Sequence, residues 1–241
     1  MPEGILYGVG VGPGDPELLT LKAVNVLKTA EVLCIPQSHR HKESTAYAIA
    51  REHLPQDCAL LTLFFPMTRE QETLKKSWEQ SCSQVREQLD QGRRVVFLTI
   101  GDPMLYSTYI YISRQLKQEG YKAEVVPGIP SFCAAAGAAG FPLGEGEGKI
   151  AIIPWGPGTN TLPQELQQFD SLVLMKVAPY LETIRDVLTE SGFLKDSVLV
   201  DKCGYEDEEI RDFSLPLQDH NGGTAREVSY FSLILARKER L

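Results

Sequence analysis

Short apolar runs alternate along the chain with longer stretches in which apolar residues recur at helical spacing. Residues 5–11 (ILYGVGV) form the first run, an extended segment ending among glycines. Asp15 then suits an N-cap, Pro16 a first helical position and Glu17 the positive end of a helix. The spacing of Leu18, Leu21, Val24, Val26 and Leu27 carries that helix to Thr29. Residues 31–36 (EVLCIP) read as a second strand buried on both faces, Ser44 caps a helix reaching His53, and residues 59–63 make a third strand. A polar helical stretch over 70–89 leads to residues 94–100 (RVVFLTI), the strongest strand pattern in the chain. A helix over 107–119 and a strand over 122–126 follow.

Alternation of this kind implies a mostly parallel sheet covered by helices. The pattern then changes. Residues 132–148 are packed with Ala and Gly and end in GEGEG, which reads as a closely packed helix followed by a connection. Beyond it, residues 149–154, 171–177, 198–203 and 228–236 read as strands, 180–190 as a helix and 164–169 as a shorter one. The expected fold class is α/β, with two α/β domains whose sheets are mostly parallel or mixed. The boundary is placed near Gly120, giving domains 1–120 and 121–241.

The 241 residues, 43% of them hydrophobic and 23% charged, suffice for a buried core. A formal net charge of -8 argues against general affinity for nucleic acid or an anionic membrane, while leaving room for a local basic site. Cys34, Cys58, Cys82, Cys133 and Cys203 are scattered, odd in number and without a CxxC pair. They read as reduced thiols of a cytoplasmic protein rather than a disulfide framework or zinc site. No N-terminal targeting signal and no apolar run of roughly 20 residues is seen, so no membrane span is expected.

The stretch GVGVGPGDPELLT (8–20) carries glycines at alternate positions after a strand, as dinucleotide-binding loops do. The G-x-G-x-x-G spacing fails in both registers, since its third glycine falls on Pro13 or on Asp15. The second strand also ends Cys34-Ile35-Pro36, without the acid that would hold a ribose, and no GK[ST] phosphate loop follows. Two further loops end strands in a similar way: TIGDPMLYST (99–108) and VPGIPS (126–131). Each alone also reads as a plain turn, with Asp102 capping a helix. Three such loops on the carboxyl rim of one sheet read as walls of one pocket.

Taken in order and spacing, GVGVGPGDPELLTLKA (8–23), TIGDPMLYST and VPGIPS resemble the tetrapyrrole methyltransferase family, and the resemblance covers essentially the whole chain. Within it, GDPMLYSTYIYI (101–112) and AIIPW (151–155) most resemble the precorrin-2 and cobalt-factor II C20-methyltransferases. The resemblance implies a homodimer, S-adenosylmethionine as methyl donor with S-adenosylhomocysteine as product, and a small-molecule tetrapyrrole substrate. It also implies a cofactor site in a cleft between two α/β domains. Cofactor contacts would come from Pro13, Gly101, Asp102, Pro103, Leu105, Tyr106, Pro130, Ser131, Phe132, Met175, Lys176, Cys203 and Gly204. Substrate contacts would come from Gly12, Gly14, Asp15, Tyr106 and Lys176.

A sulfonium methyl is already activated, so the chemistry asks mainly for alignment and exclusion of water. A base for the C20 proton is not assigned; Tyr106 and Asp102 are candidates by position alone. Lys149, Lys176, Lys202 and Arg226 lie near expected strand ends and suit substrate carboxylates, or a solvated surface. His39 and His41 read as loop histidines, residues 206–209 (EDEE) as a solvated acidic turn, and no protein-bound metal is expected. Competing readings are a uroporphyrinogen III methyltransferase, diphthine synthase, or a nucleotide-binding module without chemistry.

Overall fold

Parallel pairing organises the first half of the chain. In a computed structural model that describes residues 4–38, 44–66, 68, 70–156, 158–159, 163–216 and 228–238, β1 (Ile5–Gly10), β2 (Val32–Gln37), β3 (Ala59–Phe64), β4 (Arg94–Thr99) and β5 (Lys122–Val126) form one sheet. Their order is β3-β2-β4-β1-β5 and every pair is parallel. Helices α1 (Leu21–Leu27) and α2 (Thr45–Ala50) cover one face through Ala23, Leu27, Ala46 and Ile49. Helices α3 (Gln71–Asp90) and α4 (Tyr109–Gln118) cover the other through Val85, Leu89, Ile112 and Leu116. A sheet buried on both faces explains the unbroken apolar runs in β2 and β4. Each large apolar side chain so buried contributes about 1.5–3 kcal/mol of transfer free energy. The chain leaves β1 towards the α1 face and β4 towards the α4 face. At these neighbouring carboxyl ends the connections therefore diverge to opposite sides of the sheet, the arrangement in which α/β sheets bind ligands.

The second unit is mixed. Helix α5 (Ser131–Ala138) precedes β6 (Ile150–Pro154), α6 (Pro163–Leu166), β7 (Ser171–Met175), α7 (Leu181–Ser191), β8 (Asp196–Asp201), β9 (Glu209–Asp212) and β10 (Ser232–Arg237). The strand order is β6-β7-β10-β8-β9, with β6 and β7 parallel and the other pairs antiparallel. Because β10 opposes both β7 and β8, those two and β6 end on the same edge. Leu172, Leu174, Ile184, Leu188, Phe193, Leu199, Phe213 and Ile234 fill the core on the α7 face.

Four sequence expectations change. The chain divides into units Met1–Pro130 and Ser131–Leu241 rather than at Gly120, because β5 pairs with β1 and stays in the first sheet. The helix expected over 16–29 is broken: a 3-10 turn, Pro16–Leu18, is capped by Asp15, and Leu19 and Thr20 are extended before α1. The Thr20 hydroxyl accepts the Ala23 N–H at 3.1 Å and so starts a second helix, leaving Leu21 84% exposed. Glu209, read as part of an acidic turn, begins the polar edge strand β9. The last strand starts at Ser232 instead of residue 228, since Ser229 is tied by its N–H and hydroxyl to the Asp201 carboxylate. His39, His41 and Arg226 lie outside the described residues.

Candidate functional site

The loops after β1, β4 and β5 are laced together by their backbones. Val11 N–H donates to Thr99 O at 2.9 Å, and Gly101 N–H donates to Gly12 O at 2.8 Å, an isolated antiparallel bridge between two otherwise parallel strands. Gly10, Gly101 and Gly128 meet where the three loops converge. A Cβ on Gly10 would lie 2.6 Å from Gly128 N, and one on Gly128 would lie 2.7 Å from Gly10 C and closer still to Gly101 O. Only a residue without Cβ lets backbone approach backbone in this way. These glycines therefore serve close packing between loops rather than a phosphate, in agreement with the failed dinucleotide spacing. Gly8 has a similar reason: the Tyr109 ring fills the space its Cβ would take, 2.6 Å from that position. The Tyr109 hydroxyl in turn donates to Glu124 O at 2.6 Å, fastening the start of α4 to β5.

Asp102 joins the lacing with its side chain. One carboxylate oxygen accepts Met104 N–H at 2.8 Å, and the other accepts Gly128 N–H at 3.1 Å, so the β4 loop and the β5 loop share one acid. Both oxygens are thus occupied with shaping the rim. Thr20 adds a longer hydroxyl contact to Pro127 O at 3.4 Å. Beyond Asp102, Pro103 is buried, Leu105 half-buried, and Tyr106 is 50% exposed with φ at 51°. A bulky residue in the left-handed region stores strain of order 1–3 kcal/mol and is held there by its surroundings. The next residue, Ser107, is anchored: its buried hydroxyl pairs with Thr99 Oγ1 at 3.2 Å and accepts Tyr109 N–H at 3.1 Å. The first unit thus gathers Gly101, Asp102, Pro103, Leu105 and Tyr106 with Gly12, buried Pro13 and half-buried Gly14 on one rim. Asp15 sits just beyond, its carboxylate accepting Glu17 N–H at 2.8 Å. Pro130 ends the first unit, and Ser131 and Phe132 open the second at the start of α5.

In the second unit three residues directly follow strand ends on one edge: Trp155 after β6, Lys176 after β7 and Lys202 after β8. Lys176 (φ 60°) and Lys202 (φ 52°) are left-handed, which with Tyr106 completes the non-glycine residues of positive φ among those described. All three follow carboxyl strand ends. Lys202 ion-pairs with Asp207, and Glu208 folds the next turn by accepting Gly204 N–H at 2.7 Å. Burial and the Glu208 carboxylate push the Cys203 thiol up to about 12, so it stays protonated and takes no part as a nucleophile. Trp155 N–H donates to Met175 O at 2.7 Å, linking β6 to the Met175–Lys176 turn. Its indole Nε1–H, in a residue only 3% exposed, has no partner among the described residues. A buried donor left so costs about 1–3 kcal/mol. Neither this orphan donor nor the Asp102 tie was legible in the sequence. Lys149, grouped with Lys176 and Lys202 by sequence, precedes β6 and lies at the opposite edge. That opposite edge also holds a cavity of about 500 Å³ lined by Asp170, Asp196, Arg237 and Lys238, remote along the strands from Lys176 and Lys202.

Comparison with known proteins agrees with the loop pattern. Residues 5–217 match the model of the Tetrapyrrole (Corrin/Porphyrin) Methylases. The chain is 38% identical to the protein named "Probable cobalt-precorrin-2 C(20)-methyltransferase" of Methanocaldococcus jannaschii, over 85% of each chain. It is 30% identical to the cobalt-precorrin-2 C(20)-methyltransferase of Salmonella typhimurium, over 98% of each. Among solved structures, a cobalt precorrin-4 methyltransferase shares the fold with a TM-score of 0.72 at 22% identity, covering 97% of this chain and 94% of that one. No helix among the described residues is long and apolar enough to cross a membrane. The chain belongs to the tetrapyrrole methylase family.

Proposed function

We propose that this protein transfers a methyl group from S-adenosylmethionine to C20 of a reduced tetrapyrrole in cobalamin biosynthesis. The observation that carries this reading is the likeness, over 85% and 98% of the chain, to two proteins named for that reaction. Both names specify the cobalt-bearing precorrin, whereas a relative 31% identical over 96% of the chain is named for precorrin-2 itself; the 38% identity of the first favours the cobalt-bearing form as substrate. Cobalt would then arrive inside the substrate.

The residues present fit the cofactor. An adenosyl group with an amino-acid tail needs backbone donors and acceptors, hydroxyls and a positive group. In the first unit the 101–106 loop offers backbone groups and the Tyr106 hydroxyl; in the second, half-buried Ser131 offers a hydroxyl, Lys176 a positive group and the Trp155 indole a donor. When bound, the cofactor supplies a methyl group on a sulfonium, ready for displacement. The protein supplies alignment, and holding two reactants at attack distance is worth on the order of 7–11 kcal/mol. Gly101, Asp102, Pro103, Leu105, Tyr106, Pro130, Ser131, Phe132, Met175, Lys176, Cys203, Gly204 and Pro13 are assigned to the cofactor. Gly12, Gly14, Asp15, Tyr106 and Lys176 are assigned to the substrate. Within these sets Asp102 works by holding the rim in shape, since both its oxygens accept backbone N–H groups. The Lys176 ammonium suits a substrate carboxylate. The same reading takes the protein to be a cytoplasmic homodimer, which light scattering tests.

Equilibrium binding separates this reading from a nucleotide-binding module. S-adenosylmethionine and S-adenosylhomocysteine are expected to bind while NAD and ATP do not. Absence of S-adenosylhomocysteine binding would end the proposal.

A further inference from the structure

Trp155 stands out because its indole is packed as a core residue yet carries a donor that no group among the described residues satisfies. Buried polar groups in folded proteins are almost always bonded, so each exception asks for a reason. Its place narrows the choice. Trp155 directly follows β6, its backbone N–H is bonded to Met175 O, and the next residue after Met175 is the strained Lys176. An orphan donor and a left-handed lysine thus flank one turn at the carboxyl edge of two neighbouring strands. On the far side of Trp155, Gly156 N–H is bonded to Thr159 Oγ1 at 2.9 Å, and no described residue there accepts from the indole.

We propose that the Trp155 indole N–H is a reserved donor that acquires its partner from an oxygen of the bound S-adenosyl ligand. The inference rests on the reading of the protein as an S-adenosylmethionine-dependent enzyme and adds to it a side-chain contact. Before binding, no described protein group pairs with the donor; the ligand oxygen supplies a partner, and the contact becomes affinity. Retaining an indole at this position, where a phenyl ring would fill most of the same space, then has a functional reason.

Trp155 is one of two tryptophans, the other being Trp78, which stacks on Tyr111 in the first unit. A Trp78→Phe protein therefore reports on Trp155 alone by fluorescence. In that background, S-adenosylhomocysteine is expected to shift Trp155 emission. Replacing the indole by its benzothiophene analogue, which keeps the shape and lacks the N–H, should weaken S-adenosylhomocysteine binding about three- to tenfold, the range of one hydrogen bond. The unfolding midpoint without ligand should not fall. Unchanged affinity in the analogue, or a lower ligand-free midpoint, would overturn the inference, because the donor would then already be satisfied. If the parent protein does not bind S-adenosylhomocysteine at all, the functional reading fails, and this inference with it.

Discussion

Adding one methyl group at Gly128 tests the lacing of the three loops. The Cβ of Gly128→Ala would sit 2.7 Å from Gly10 C and nearer to Gly101 O, at least 0.7 Å inside the 3.4 Å at which ordinary contact begins. All the opposing atoms are backbone, fixed by the parallel register that pairs Gly10 with Thr99 and Val9 with Val126, so no side chain can swing aside. The β5 loop must move as a body, which also lengthens the Gly128 N–H contact to Asp102. Overpacking of this kind costs about 1–3 kcal/mol, and loss of a charge-assisted hydrogen bond adds about 1.5–3 kcal/mol. For a unit of this size the sum corresponds to a fall in unfolding midpoint of roughly 5–20 °C. Gly137→Ala in α5 is the matched control: nothing lies within 4 Å of its Cβ, and removing a helical glycine stabilises by about 0.5–1 kcal/mol. Thermal unfolding followed by circular dichroism reads both. Equal midpoints for Gly128→Ala and the parent would show that the loops are not interlocked as described.

Asp102→Ala removes the acceptor of two backbone N–H groups and is expected to weaken S-adenosylhomocysteine binding, read by calorimetry, more than it weakens tetrapyrrole binding; unchanged cofactor affinity would mean the site is misplaced. Stability should fall on the alkaline side. Burial raises the Cys82 thiol to about 11 and the Cys203 thiol and Tyr109 hydroxyl to about 12, so the unfolded chain ionises first. The contribution is complete below about pH 9 and is lost as pH rises towards 11–12. Unfolding midpoints that stay level from pH 8 to 11 would contradict those burials.

Much of the first unit was legible because a sheet buried on both faces leaves unbroken apolar runs: RVVFLT is β4, and the carboxyl rim follows from alternation alone. The loops' roles were less legible. That Gly10, Gly101 and Gly128 touch depends on strand register, which no single segment encodes. Thr20 hid a helix start inside an apolar pattern that ran through it, and its local hydroxyl bond outweighed the periodicity. Strand β9 (EIRD) was hidden because an edge strand needs no apolar face. In the second unit Lys149 and Lys176 looked equivalent until the strand directions put them at opposite edges. The orphaned Trp155 donor is a property of packing and has no sequence signal.

The central claim is methyl transfer to one carbon. Anaerobic incubation with methyl-labelled S-adenosylmethionine and either cobalt-precorrin-2 or precorrin-2, followed by NMR of the product, tests it most directly. The label is expected at C20, with the cobalt-bearing substrate turned over faster. Label at any other ring position would contradict the account, as would an unlabelled tetrapyrrole.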